Sequence, residues 1–306
     1  MTAVSPGDVE AAAQRIAGYV RTTPVLDLGD GVVLKLELLQ HTGSFKPRGA
    51  FNWLLGADEV PAAGVVAASG GNFGLAVAHV THELGIPATI VIPEVSPAAK
   101  RAGFARLGAE VVVVPGMYPD ALARSRQLAA ETGALLGHAY DHPAVVAGQG
   151  TCGRELEDQV AGAVDTVLVA VGGGGLIGGI AAWFADRVKV VSVEPERIPA
   201  LHHALAAGHP VEVDVSGLAA DSLGASSVGD VPFAVARRFV DAAVLVADEA
   251  IAAAQRDLWQ RCRIASEPGG AAAWAALLSG AYRPEPGERV VVVVCGGNVD
   301  LTTLTA

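Results

Sequence analysis

The sequence predicts an α/β protein built on parallel sheet. Three observations carry this: short β-branched runs that are almost wholly apolar, intervening segments long enough for helical crossovers, and glycine-rich turns placed after the strands. Strands buried on both faces need apolar residues throughout, which is what "GVVAAS" (64–69), "PATIVIP" (87–93) and "AEVVVVP" (109–115) supply. Helical segments alternate with them: "NFGLAVAHVTHELG" (72–85), "SPAAKRAGFARLG" (96–108) and "YPDALARSRQLAAETG" (118–133). The second half repeats the theme with "DTVLVAV" (165–171), "LIGGIAAWFADR" (176–187), "KVVSVEP" (189–195) and "ERVVVVVCGG" (288–297).

A chain of 306 residues can bury one large core or two moderate ones. The apolar runs are short and punctuated by glycine, so no membrane partner is expected. The start carries acids and no basic region leading into an apolar segment, unlike a secretory signal. Cys152, Cys262 and Cys295 are odd in number and lack metal-ligand spacing, which fits reduced thiols in a cytoplasm. A net charge of −11 disfavours nucleic acid and anionic membrane and leaves a small molecule as the expected partner.

Three glycine-rich turns follow strands: "ASGGNFG" (68–74), "VGGGGLIGG" (171–179) and "CGGNVD" (295–300). At the carboxyl ends of parallel strands they can face one cleft, and the first two open helices whose free N–H groups attract anions. Gly173, Gly175 and Gly178 satisfy the dinucleotide fingerprint, with Glu194 ending the next strand, so a nicotinamide-dependent oxidoreductase is one reading. Four consecutive glycines, however, form a nest of N–H groups suited to a single phosphate. The dinucleotide reading also leaves Lys46 unexplained.

The chain has four lysines. Lys35 and Lys189 are expected to point outward from strands and Lys100 to be a solvated helix residue. Lys46, in "QHTGSFKPRGA", has no such bland role. A lysine amine condenses with an aldehyde, and pyridoxal phosphate carries an aldehyde and one phosphate.

The ordered set "QHTGSFKPRGA", "SGGNFG", "GGGGLIGG", "EPGGA" and "CGGN" resembles the fold-type II pyridoxal-phosphate enzymes, and most of all the serine/threonine dehydratase and serine racemase branch. The resemblance spans essentially the whole chain. It implies two open, twisted, mostly parallel sheets flanked by helices, a tryptophan synthase β-like fold with the cofactor in a cleft. Residues 1–57 and 142–306 are expected to form a large domain, with 58–141 a small inserted one. It also implies a homodimer.

The resemblance assigns roles residue by residue. Lys46 would form the Schiff base and act as the base at the substrate Cα, and Phe45 would lie against the pyridine ring. Ser69, Gly70, Gly71, Asn72 and Phe73 match the loop that grips the substrate carboxylate, Asn72 also reaching the ring hydroxyl. Gly172, Gly173, Gly174, Gly175 and Leu176 match the phosphate cradle, Cys295 stands near the pyridine nitrogen, and Glu267 at the edge of the site. A neutral thiol there does not hold the nitrogen protonated, which suits β-elimination. The implied activity is conversion of L-threonine or L-serine to a 2-oxo acid and ammonia.

Racemisation and β-replacement share this chemistry and stay as alternatives. Racemases of the branch place a serine where this chain has Gly70, and β-replacement enzymes carry an Asp after the lysine where this chain has Pro47. Phe73 stands where relatives often have His. Some relatives bind a divalent cation through the Glu of "EP" and an acid six residues on; here Glu194 is followed by Ala200, so no metal is expected. His202 and His203 are adjacent on a helix, point in different directions, and read as surface residues.

Overall fold

The computed structural model describes residues 4–96, 98–160 and 164–304, with 98–100 followed as backbone only, so the side chain of Lys100 lies outside the described residues. Among the described residues, ten strands form two sheets. In chain order they are β1 (Val25–Asp27), β2 (Val32–Lys35), β3 (Val65–Ala68), β4 (Ala88–Pro93), β5 (Glu110–Val114), β6 (Leu135–Gly137), β7 (Thr166–Ala170), β8 (Lys189–Pro195), β9 (Ala242–Val246) and β10 (Val290–Val293).

The six-stranded sheet runs β1-β2-β10-β7-β8-β9 and the four-stranded sheet β5-β4-β3-β6. Only the β1–β2 pair is antiparallel among the described strands. β3, β7, β8 and β10 are buried almost end to end, as the apolar runs require. β5 has the same composition but sits at an edge, and it leaves Glu110 and Val113 exposed.

Two large apolar clusters form. One surrounds the six-stranded sheet and is built from valines of β7, β8 and β10 with Ile177, Ile180 and Trp274. The other surrounds the four-stranded sheet, with Ile90, Ile92, Phe73 and Phe104, and also takes in Phe51, Trp53 and Leu54 from the helix Lys46–Leu55. That helix therefore belongs to the second core. The long helix Pro143–Val160 packs on it and on the helix Gly175–Phe184. The approach is close: a Cβ on Gly49 would meet the Gln149 side chain at 2.3 Å, and one on Gly179 would meet the Val146 carbonyl at 2.3 Å.

The outward placement expected for Lys35 is wrong. Its side chain is fully buried at the end of β2, where Nζ donates to the Thr23 carbonyl, Glu155 and Gln159. Beside it Arg48 grips Glu37 through Nε (2.8 Å) and one terminal nitrogen (2.7 Å), and also reaches Glu155 at 3.0 Å. Two cations and two carboxylates thus neutralise one another under the Lys46 helix, the condition under which buried charge is tolerated. Lys189 is exposed, as expected.

Candidate active site

Backbone contacts carry Lys46 to the end of β10. The turn His41–Gly43 holds Thr42 and Gly43 at positive φ (61° and 77°). Beyond it the chain runs against the segment after β10: Ser44 bridges Gly296, the Phe45 N–H donates to the Cys295 carbonyl (3.2 Å), and the Gly297 N–H donates to the Gly43 carbonyl (2.9 Å). Lys46 then opens its helix, with Pro47 at a first-turn position where no amide is missed.

The Lys46 amine is half-buried, donates to the Ala139 carbonyl (3.0 Å), and lies 5.0 Å from the Phe45 ring centre. Burial lowers its pKa to about 8, against the pull of the Glu267 carboxylate. The Cys295 thiol is buried, donates to the Gly269 carbonyl at 3.5 Å, and is pushed up to about 12 by burial and by Glu267. It is therefore a neutral group at any working pH.

Glu267 stands before the helix Pro268–Ser279 but does not cap it. Its side chain is buried and accepts a hydrogen bond from Asn72 Nδ2 at 2.6 Å. Asn72 opens the helix Asn72–Leu84 at the end of β3. Gly296 has no room for a side chain, since a Cβ would come within 2.0 Å of Glu267 Oε1.

In the turn after β3, the Ser69 hydroxyl accepts from the Gly71 N–H (3.3 Å). The Phe73 ring is buried in the core of the four-stranded sheet, beside Trp53 and Gly137. After β7, Gly172 to Gly175 lead into the helix Gly175–Phe184, with Gly174 at φ 90°. The first-turn N–H groups of that helix have no intrahelical acceptor and form the positive end of its dipole.

Lys46, Phe45 and Cys295 are thus linked by direct contacts, Asn72 and Glu267 join them through the backbone of Gly296, and the tetraglycine turn is linked through Tyr140. Tyr140 follows the carbonyl that holds the lysine, and its ring lies on the turn: a Cβ on Gly173 would meet it at 2.2 Å. The phenol is pushed up to about 12, burial first. Two contributors lie outside the sequence motifs: Tyr140, and Ser222, whose hydroxyl accepts from the Gly269 N–H (2.9 Å). The "HAYDHP" segment carries an aromatic residue, but nothing local relates it to four glycines some 30 residues away.

Glu194 is buried at the end of β8, and its two oxygens accept from the N–H groups of Leu201 and His202, each at 2.7 Å. These bonds satisfy two free N–H groups in the first turn of the helix Ala200–Ala207. Among the described residues no cluster of three His, Cys, Asp or Glu could hold a metal ion. His202 is half-buried and His203 exposed, near the surface placement expected.

The profile of the pyridoxal-phosphate dependent enzymes matches residues 16–296. The chain belongs to that family. It is 38% identical to the catabolic L-threonine dehydratase TdcB of Staphylococcus aureus, across 99% of this chain and 91% of that protein. Its fold superposes on maize serine racemase with a TM-score of 0.92 at 33% identity, covering 99% of this chain and 96% of the other. Against a T.th. threonine deaminase the TM-score is 0.89 at 36% identity, covering 97% of this chain and 99% of the other. Membership sets the nicotinamide reading aside.

The site fits pyridoxal phosphate on its own chemistry. A desolvated amine suits the aldehyde, a helix N-terminus reached through four glycines suits the phosphate, and a neutral thiol is compatible with an unprotonated ring nitrogen.

Proposed function

We propose that this pyridoxal-phosphate enzyme is a lyase that dehydrates L-threonine and L-serine, releasing the 2-oxo acid and ammonia. The observation that carries the reading is the pairing of Lys46, its pKa lowered to about 8, with Cys295, held neutral by burial. When bound, the cofactor takes up electron density as the Cα proton leaves. Lys46 supplies the base for that proton, and its near-neutral pKa is matched to the task. The Cys295 thiol withholds a proton from the ring nitrogen, so charge drains by expelling the β-hydroxyl instead of persisting. The β-hydroxyl leaves as water with the proton that Lys46 took from Cα, and the enamine released takes up another water to give 2-oxo acid and ammonia.

In this reading the Ser69–Phe73 turn receives the substrate carboxylate, Asn72 meets the ring hydroxyl, Phe45 flanks the ring, and Gly172–Leu176 hold the phosphate. Residues 58–141, which contain the whole four-stranded sheet, form the small domain of a homodimeric cytoplasmic protein. No helix among the described residues is long and apolar enough to cross a membrane, which agrees with that placement. Phe73, apolar and 3% exposed, disfavours a second carboxylate on the substrate side chain, because an unpaired buried charge is costly.

Purified protein is expected to show a visible band from lysine-bound cofactor, lost in Lys46→Ala, and to form pyruvate from L-serine or 2-oxobutanoate from L-threonine. Faster ammonia release from 3-hydroxyaspartate, or absence of any keto acid, would overturn the assignment.

A further inference from the structure

Asn298, three residues beyond Cys295, joins the strand ends at which the site is built. Its amide nitrogen spends both hydrogens: Nδ2 donates to the Thr42 carbonyl at 2.8 Å and to Asn72 Oδ1 at 2.7 Å. Its oxygen lies against Gly43, where a Cβ would come within 2.6 Å, and this close approach coincides with the positive φ that already favours glycine there. One side chain thus spans the lysine turn, the turn after β3 and the end of β10.

The consequence falls on Asn72. A side-chain amide is chemically two-faced and can rotate by half a turn with little change of shape. Because Asn298 can only donate through Nδ2, the atom it meets must be the Asn72 oxygen. The Asn72 nitrogen is then forced to the other side, where it donates to Glu267 at 2.6 Å. We propose that Asn298 is a positioning residue that fixes the Asn72 amide with its N–H groups facing the cofactor site. This rests on the reading above that Asn72 contacts the cofactor ring.

A merely structural role predicts something different. Asn298 is exposed, and its replacement leaves both apolar cores intact, so variants fold. Asn298→Asp keeps the shape but turns both donors into acceptors, facing two carbonyl oxygens. It removes the fixed orientation of Asn72 and favours the rotated amide. Asn298→Ala removes the constraint without imposing the wrong one.

The test measures the dissociation constant of pyridoxal phosphate by equilibrium dialysis, and the pH midpoint of the visible band, for Asn298→Ala, Asn298→Asp, Asn72→Ala and the double Asn72→Ala/Asn298→Ala. Thermal unfolding of the cofactor-free proteins serves as the control. Each single variant is expected to weaken cofactor binding about tenfold, the scale of one lost hydrogen bond, with Asn298→Asp at least as impaired as Asn298→Ala. The double variant should be no weaker than Asn72→Ala, because Asn298 acts through Asn72. Multiplying losses in the double variant, or unaltered cofactor affinity and band midpoint in both Asn298 variants, would overturn the proposal while leaving the role of Asn72 standing. An unaltered Asn72→Ala would remove that role, and the positioning claim with it.

Discussion

Lys46 and Lys35 lie eleven residues apart in one stretch and meet opposite fates. Lys35 is buried among carboxylates that restore what it loses on leaving water, and it remains a structural charge. Lys46 loses water without a matching gain from the nearby Glu267 carboxylate, so its pKa falls to about 8. The free amine must be neutral to attack an aldehyde. Capture of pyridoxal phosphate by the cofactor-free protein is therefore expected to accelerate with pH through a midpoint near 8, and stopped-flow absorbance would show it. A midpoint near the ordinary lysine value of about 10.4 would contradict the burial argument. Stability follows the same sign. Between the folded value near 8 and the unfolded value near 10.4, the unfolded chain holds more protons, so the cofactor-free protein gains stability as pH rises across that window. Lys46→Met should abolish this gain.

At the scale of elements, the sequence was legible wherever one property decided the outcome. Continuous apolar runs between helical segments identify β3, β4, β7, β8 and β10, because burial on both faces leaves no other composition. The same run in β5 says nothing of its edge position, since that is set by which strands pair. Lys35 defeats the outward reading for a similar reason: its partner Glu155 is 120 residues away and alternation along one strand does not reveal it. The motif order located Lys46, Asn72, Gly172–Gly175 and Cys295, whereas the bonds that join them, such as Asn72 to Glu267 across 195 residues, arise only from the fold. Glu194 shows how an element can redirect a motif residue. At the end of β8 it accepts from the first turn of the next helix, and burial lifts its pKa to about 7 although the two N–H groups of Leu201 and His202 pull it down. A carboxyl raised in the folded state contributes stability that is complete below its unfolded value and is lost as pH climbs through about 7. In urea unfolding, wild type is therefore expected to lose stability relative to Glu194→Gln, which cannot ionise, as pH rises from about 4.5 to about 7. A wild type that gains on the variant over that range would refute the assignment.

For the whole molecule, the two sheets contribute different parts of the candidate site, and in the proposed reading those parts decide what becomes of the substrate. The six-stranded sheet brings Lys46 and Cys295, and the four-stranded sheet brings the turn after β3. Racemisation needs a proton donor on the face opposite Lys46, since a single base returns the proton to the side it came from. At the place where the racemases of this branch carry a serine, this chain has Gly70, and so the four-stranded sheet offers no hydroxyl from that position. The neighbourhood is not empty: an ideal Cβ on Gly70 lies 3.0 Å from the Ser96 hydroxyl, in the turn that follows β4. Gly70→Ser alone forces that hydroxyl to shift by a few tenths of an ångström, whereas Gly70→Ser/Ser96→Ala leaves the new side chain room. With L-serine, wild type is expected to give pyruvate in large excess over D-serine, and the double variant to raise the D-serine share on the order of tenfold, the low end of general-acid contributions being larger still. Chiral chromatography alongside a keto-acid assay reads both products. Comparable D-serine and pyruvate from wild type would show that another group already serves the second face, and an unchanged share in the double variant would show that position 70 does not control it.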